Sequence, residues 1–136
     1  MKKHMVQSPG RSRLLLALAT LLVLGNTALS MQRTLVQRVR FPRGRTTVVL
    51  KGSIVNDRMN QYHLNARAGQ TMSVHLTSPK GRAFFDLYPS KDRGAMSNSA
   101  EDVKDFEGKL PQSGDYVISV YSEDGNTRYT LEVTIR

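Results

Sequence analysis

The sequence predicts an all-β fold: an antiparallel β-sandwich of about seven to nine short strands in Greek-key order, preceded by an N-terminal export signal. Three observations carry this. Apolar residues after position 31 recur with a period of two, the breaks between runs are turn-forming, and no segment beyond the leader has convincing helical spacing. At 136 residues the chain has room for one small domain and none for a second catalytic module.

Residues 1–30 read as a signal peptide and residues 31–136 as a single sandwich domain. Lys2, Lys3, Arg11 and Arg13 make a basic start, Leu14 to Leu24 is an uncharged Leu-rich run, and Ala28-Leu29-Ser30 offers small residues where a signal peptidase cuts. The apolar run falls short of the about 20 residues that span a bilayer, so no stable membrane anchor is expected. Removing the leader takes away four basic side chains and no acidic one. That leaves 16 Lys and Arg against 11 Asp and Glu, a net charge of +5. Among the basic residues Arg38, Arg40, Arg43 and Arg45 open the mature chain, where they read as solvated charges protecting a sheet edge. An exported chain of this modest charge is expected to have no nucleic-acid partner.

The strands follow in order. Val39 and Phe41 alternate with arginines before a turn at Pro42-Arg43-Gly44. Val48, Leu50, Gly52 and Ile54 form the next run, then Tyr62, Leu64 and Ala66, then Met72, Val74 and Leu76, with Ala68-Gly69-Gln70 as a tight connection. Ser78-Pro79-Lys80-Gly81 is a turn ahead of Phe85 and Leu87. Residues 89–105 are the longest irregular stretch. Tyr116, Ile118 and Val120 come next, then a hairpin signal at Glu123-Asp124-Gly125-Asn126, then Tyr129, Leu131, Val133 and Ile135. Alternation of this kind buries one face of each strand and leaves the other in water.

Chemistry is sparse. The absence of cysteine excludes a disulfide framework, a thiolate metal site, a Cys nucleophile and a lipid-bearing Cys. Beyond the leader only His63 and His75 remain, both on the outward phase of their strands and without ligands at metal spacing. Glu101, Asp102, Asp105 and Glu107 form a run rather than a pair flanking a cleft. No catalytic set, metal site or cofactor is expected, and the chain is read as a non-enzyme that presents loops to a partner.

The loop that stands out is Leu110-Pro111-Gln112-Ser113-Gly114-Asp115-Tyr116. Two readings of it are open. Ser113 can offer a hydroxyl at an exposed tip with Tyr116 as an interface anchor, or Ser-Gly-Asp is simply a turn and Tyr116 the first core residue of its strand, in phase with Ile118.

The order Val39-x-Phe41-x-Arg43-Gly44, Gly52-x-Ile54, Tyr62-x-Leu64-x-Ala66-x-Ala68-Gly69-Gln70-x-Met72-x-Val74, Ser113-Gly114-Asp115-Tyr116 and Tyr129-x-Leu131-x-Val133-x-Ile135 resembles the periplasmic inhibitors of goose-type (g-type) lysozyme. It is also similar to the inhibitors of invertebrate-type lysozyme and to pre-peptidase C-terminal sandwich domains. The resemblance implies a periplasmic protein whose partner is a lysozyme. In those inhibitors a Ser-Gly-x-Tyr loop enters the lysozyme cleft, which implies partner contact by Ser113, Gly114 and Tyr116. That role requires the bend to project with its tyrosine hydroxyl accessible. Arg128, beside the last turn, is a further candidate for pairing with an acidic cleft residue. The alternative is a carbohydrate- or wall-binding, or secretion-associated, sandwich module, for which the out-of-phase rings of Phe84, Tyr88 and Tyr121 would be the reading surface. The preferred lysozyme class and the oligomeric state are not legible in any spacing.

Overall fold

The period-two pattern becomes eight strands in the computed structural model, which describes residues 34–91 and 103–136. They are β1 (Leu35–Arg38), β2 (Thr47–Ile54), β3 (Asn60–Ala66), β4 (Thr71–Thr77), β5 (Ala83–Pro89), β6 (Asp105–Lys109), β7 (Gly114–Ser122) and β8 (Thr127–Ile135). A single 3-10 turn, Pro79–Gly81, interrupts them. The expected signal peptide and most of the expected irregular stretch lie outside the described residues.

Odd-numbered strands form one sheet in the order β1-β3-β7-β5, and even-numbered strands the other in the order β2-β8-β4-β6. Consecutive strands therefore always lie in opposite sheets. The 123–126 turn is for that reason an arch between the two layers, not the hairpin its Asp-Gly signal suggests, and the 68–70 connection crosses in the same way. A turn motif reports a reversal of the chain and says nothing about which strand then accepts its hydrogen bonds. One pair also departs from the antiparallel expectation: β1 runs parallel to β3, with Leu35 opposite Asn60 and Arg38 opposite His63.

Inside, the predicted phase holds strand by strand. Tyr62, Leu64 and Ala66 of β3, Met72, Val74 and Leu76 of β4, Phe85 and Leu87 of β5, and Leu131, Val133 and Ile135 of β8 are buried between the layers. Two elements differ from expectation. Val39 is buried but follows β1 instead of belonging to a strand, its N–H donating to the His63 carbonyl at 2.8 Å. Strand β6 reads Asp-Phe-Glu-Gly-Lys, and Gly108 occupies an inward position, so the hydrophobic period has a single large member, Phe106. Its outward charges suit an edge strand.

A buried polar group ties the layers. The hydroxyls of Tyr62 and Tyr129 share a hydrogen bond of 2.6 Å, with the rings edge to face at 81°. The Asn60 amide donates to the Tyr129 oxygen at 2.8 Å and to the Ser53 carbonyl at 3.0 Å. Both phenol hydroxyls and the amide nitrogen of this group thus have partners, as burial demands. Burial, and then the bond to Tyr129, pushes the Tyr62 phenol well above its ordinary pKa.

Gly52 exists because of this group. A Cβ there would lie 2.4 Å from the Tyr129 hydroxyl oxygen, and that oxygen is held by two partners. Gly52→Ala is therefore expected to cost about 1–3 kcal/mol, the usual range for overpacking. The check is the urea midpoint, which should fall; an unchanged midpoint would mean that the tyrosine moves aside freely.

Candidate functional site

At one end of the sandwich, the turn between β3 and β4 and the loop between β6 and β7 are joined by main-chain hydrogen bonds. Leu110, itself buried, donates its N–H to the Gln70 carbonyl at 2.7 Å and accepts the Gly69 N–H at 2.9 Å. The Ser113 hydroxyl oxygen accepts the Ala68 N–H at 2.8 Å, and the Gln70 side-chain carbonyl accepts the Arg67 N–H at 2.7 Å. Neither segment needs the other for its own turn, yet together they satisfy groups that an irregular loop would leave to water.

Tyr116 closes the arrangement from below. Its ring fills the core beside Leu64, opposite which it is paired, and its hydroxyl donates to the Gln112 carbonyl at 2.6 Å. This is the tyrosine corner of β-sandwiches, a phenol bonded to main chain a few residues upstream. Gly114 completes the bend with φ of +139° and open space where a Cβ would stand, so backbone conformation and not room explains the glycine.

Tyr116 has no solvent-exposed surface: the bend projects at Ser113, but the accessible tyrosine hydroxyl that the implied role requires is sealed against Gln112, and the expectation that Tyr116 anchors a partner is overturned. Its inward phase places the ring in the core, and the only polar atom it carries is spent on Gln112. Of the two readings of the loop, the core-residue reading describes Tyr116, while Ser113 remains exposed at the tip. Gly114 lies half-buried beside it.

Arg128 stands exposed at the start of β8, opposite Ser53. Loop 110–116 opens β7 at Gly114 and the 123–126 arch follows its last residue, Ser122. At about 3.3 Å of rise per residue the two places lie roughly 25 Å apart along the strand. Ser113 and Arg128 are not brought together.

What sequence reasoning missed is the charged support beside the loop. Arg38, at the end of β1, grips the Asp115 carboxylate with both terminal nitrogens, at 2.7 and 2.9 Å, and the Asn65 amide donates to it at 3.0 Å. Arg38 is 77 residues from Asp115, so no local spacing signals the pair. Arg38 does lie exposed on an edge strand as expected, as Arg40, Arg43 and Arg45 also stay exposed, but its guanidinium is bonded to Asp115. The Arg38 bonds first, and the Asn65 bond next, hold the Asp115 carboxyl down at about 2.

The histidines are apart. His75 is exposed on β4 and bonded to Asp105, whereas His63 is only half-exposed and its Nε2 is buried without a hydrogen-bond partner. Among the described residues no three His, Cys, Asp or Glu side chains converge as metal ligands.

A lowered carboxyl pKa adds stability that is present above the ordinary carboxylate range and lost as pH falls through the folded-state value. For Asp115 that window runs from about 4 down to about 2. The urea midpoint of the natural chain is expected to fall more steeply across this window than that of Asp115→Asn. Parallel curves would show that the Arg38 contact adds nothing to stability.

No family model and no curated protein matches the chain. Solved structures do. A periplasmic inhibitor of g-type lysozyme from Aeromonas hydrophila superposes with a TM-score of 0.64 at 29% identity, over 76% of this chain and 98% of its own. The inhibitor of g-type lysozyme from Salmonella Typhimurium gives a TM-score of 0.59 at 21% identity, over 76% of this chain and 100% of its own. The pre-peptidase C-terminal domain of a collagenase from Bacillus anthracis gives 0.53 at 20% identity, over 76% and 97%. The resemblance read from the sequence is thus met in the fold, with two of the three kinds of protein that it named, the g-type lysozyme inhibitors and the pre-peptidase C-terminal domains, among these structural neighbours.

Proposed function

We propose that the chain is an exported inhibitor of lysozyme, of the goose type, that works in the periplasm by binding and not by catalysis. Residues 1–30 serve as the export signal and are removed from a single sandwich domain, residues 31–136. The observation that carries this reading is the 29% identity to the Aeromonas hydrophila inhibitor across 98% of that protein's length. The likeness to the other two structures bears on the fold alone.

Loop 110–116 is the segment proposed to meet the lysozyme. A glycosidase cleft is concave and built around a catalytic carboxyl group, so a narrow, polar projection can fill it. The exposed Ser113 supplies a hydroxyl at the tip, and Gly114 adds no side chain beside it. Binding is favoured because the loop is already ordered by its bonds to Ala68, Gly69 and Gln70, and little conformational entropy is left to lose. Tyr116 acts as a positioning residue, through Gln112, with no contact of its own. A specific interface buries about 1,200–2,000 Å² in total, so the 67–70 turn and the ground around Arg38 and Asn65 would share the contact.

The purified chain is expected to slow clearing of a cell-wall suspension by goose-type lysozyme. Ser113→Ala should weaken inhibition about tenfold, equivalent to about 1.4 kcal/mol. Tyr116→Phe keeps the ring in the core but releases Gln112, and should weaken inhibition severalfold with only a small loss of urea stability, about 1 kcal/mol. Clearing that proceeds unchanged at excess protein would overturn the proposal. Retention of the chain on peptidoglycan without any lysozyme would favour a wall-binding module instead.

A further inference from the structure

The outward face of the even-numbered sheet is divided by charge. Toward the loop 110–116 end, Glu132 stands between Val49 and His75 across the strands, with Asp105 next in the row and Glu107 in the row beyond. Toward the other end the rows read Lys51, Thr130 and Thr77, then Ser53 and Arg128. Acids thus predominate toward one end, where Lys109, opposite Thr71 on the same outward phase of β6, is the exception, and the other end is basic.

Both halves are concave, with a depression of about 270 Å³ among the acids and a larger one in the basic half. A groove of about 570 Å³ crosses β2, β8 and β4, walled at one side by Ser78 and Pro79 of the 3-10 turn. Its floor is the backbone around Gly52 and Tyr129, kept flat because Tyr129 turns its ring inward. Hydroxyls of Ser53, Thr77 and Thr130 line it, and no carboxylate does. Lys51 and Arg128 are exposed, and neither has an ion-pair partner among the described residues. The adjoining depression carries Lys80 and Arg82, of which Arg82 faces Asp124 at 3.6 Å.

We infer that this groove binds an anionic sugar, a short saccharide or polyol that carries a carboxylate or a phosphate. Its volume is that of a small-molecule site. The hydroxyl-bearing walls can exchange hydrogen bonds with a polyol, and Lys51 and Arg128, which also line the groove, supply opposite charge. Arg128 can take a carboxylate or phosphate in a two-point grip. Glu132, Asp105 and Glu107, in the rows beyond, repel an anion from that direction. A protein partner is a poorer fit, because the groove has no exposed aromatic ring or large apolar side chain to serve as an anchor. The site lies at the opposite end of the strands from Ser113 and stands whether or not the chain inhibits a lysozyme.

Nuclear magnetic resonance titration of the isotope-labelled full chain tests this with three probes: an N-acetylmuramic acid disaccharide, glycerol phosphate, and the neutral disaccharide N,N′-diacetylchitobiose. The expected result is saturable shifts at the amides of Gly52, Ser53, Ser78 and Arg128 with at least one of the anionic probes, and binding of the neutral disaccharide about tenfold weaker or absent. Which anionic probe binds identifies carboxylate or phosphate as the recognised group. Lys51→Ala combined with Arg128→Ala, both at exposed positions, should abolish the shifts while resonances elsewhere stay in place. Equal binding of the neutral disaccharide, no saturable shift with either anion, or an undiminished response in the double variant would each overturn the inference.

Discussion

The structure turns on a single piece of main-chain bonding: Leu110 exchanges hydrogen bonds with Gly69 and Gln70 across the end of the sandwich. Consecutive strands among the described residues never share a sheet, so no hairpin there organises a turn. Loops that pass between layers have to find partners in other loops, because buried peptide groups left unpaired are costly. The bond from Ala68 to Ser113 and the tyrosine corner at Gln112 then extend that junction into a shaped projection. The Ala-Gly-Gln and Ser-Gly-x-Tyr segments, far apart in sequence, are two halves of one structure.

This changes what the Ser-Gly-Asp-Tyr sequence means physically. A tyrosine in an exposed-looking loop invites an interface role, but here the ring belongs to the core and the hydroxyl to the backbone. Its value to recognition lies in stiffness. A loop held by a buried phenol, two main-chain hydrogen bonds at Leu110 and the bond from Ala68 to the Ser113 hydroxyl presents Ser113 in one place, and preorganisation of that kind favours binding without adding a contact. Asp115, at the variable position of the motif, is drawn into the support by Arg38 and Asn65.

The alternation of Tyr62, Leu64 and Ala66, or of Leu131, Val133 and Ile135, was legible because burial of one face imposes period two on any strand. Strand β6 was hidden because an edge strand needs only one face residue, Phe106, and otherwise carries charge. The layer to which each strand belongs was equally hidden, since Asp124-Gly125 reverses the chain whether an arch or a hairpin follows. Loop 110–116 was singled out from its residue types, yet its support was not. The Arg38–Asp115 pair and the Leu110 junction are created by the topology, and nothing in local spacing encodes them. Arg128 was marked for the same partner, but the length of β7 sets it at the other end, where it joins Lys51 in a different surface.

The account thus assigns recognition of a lysozyme to one end of a rigid sandwich. Hydrogen–deuterium exchange of the chain, free and mixed with goose-type lysozyme, tests that most directly. Added protection concentrated in residues 66–70 and 110–115 is the predicted result. Protection confined to the outer sheet faces, or to the 123–128 end, would contradict it.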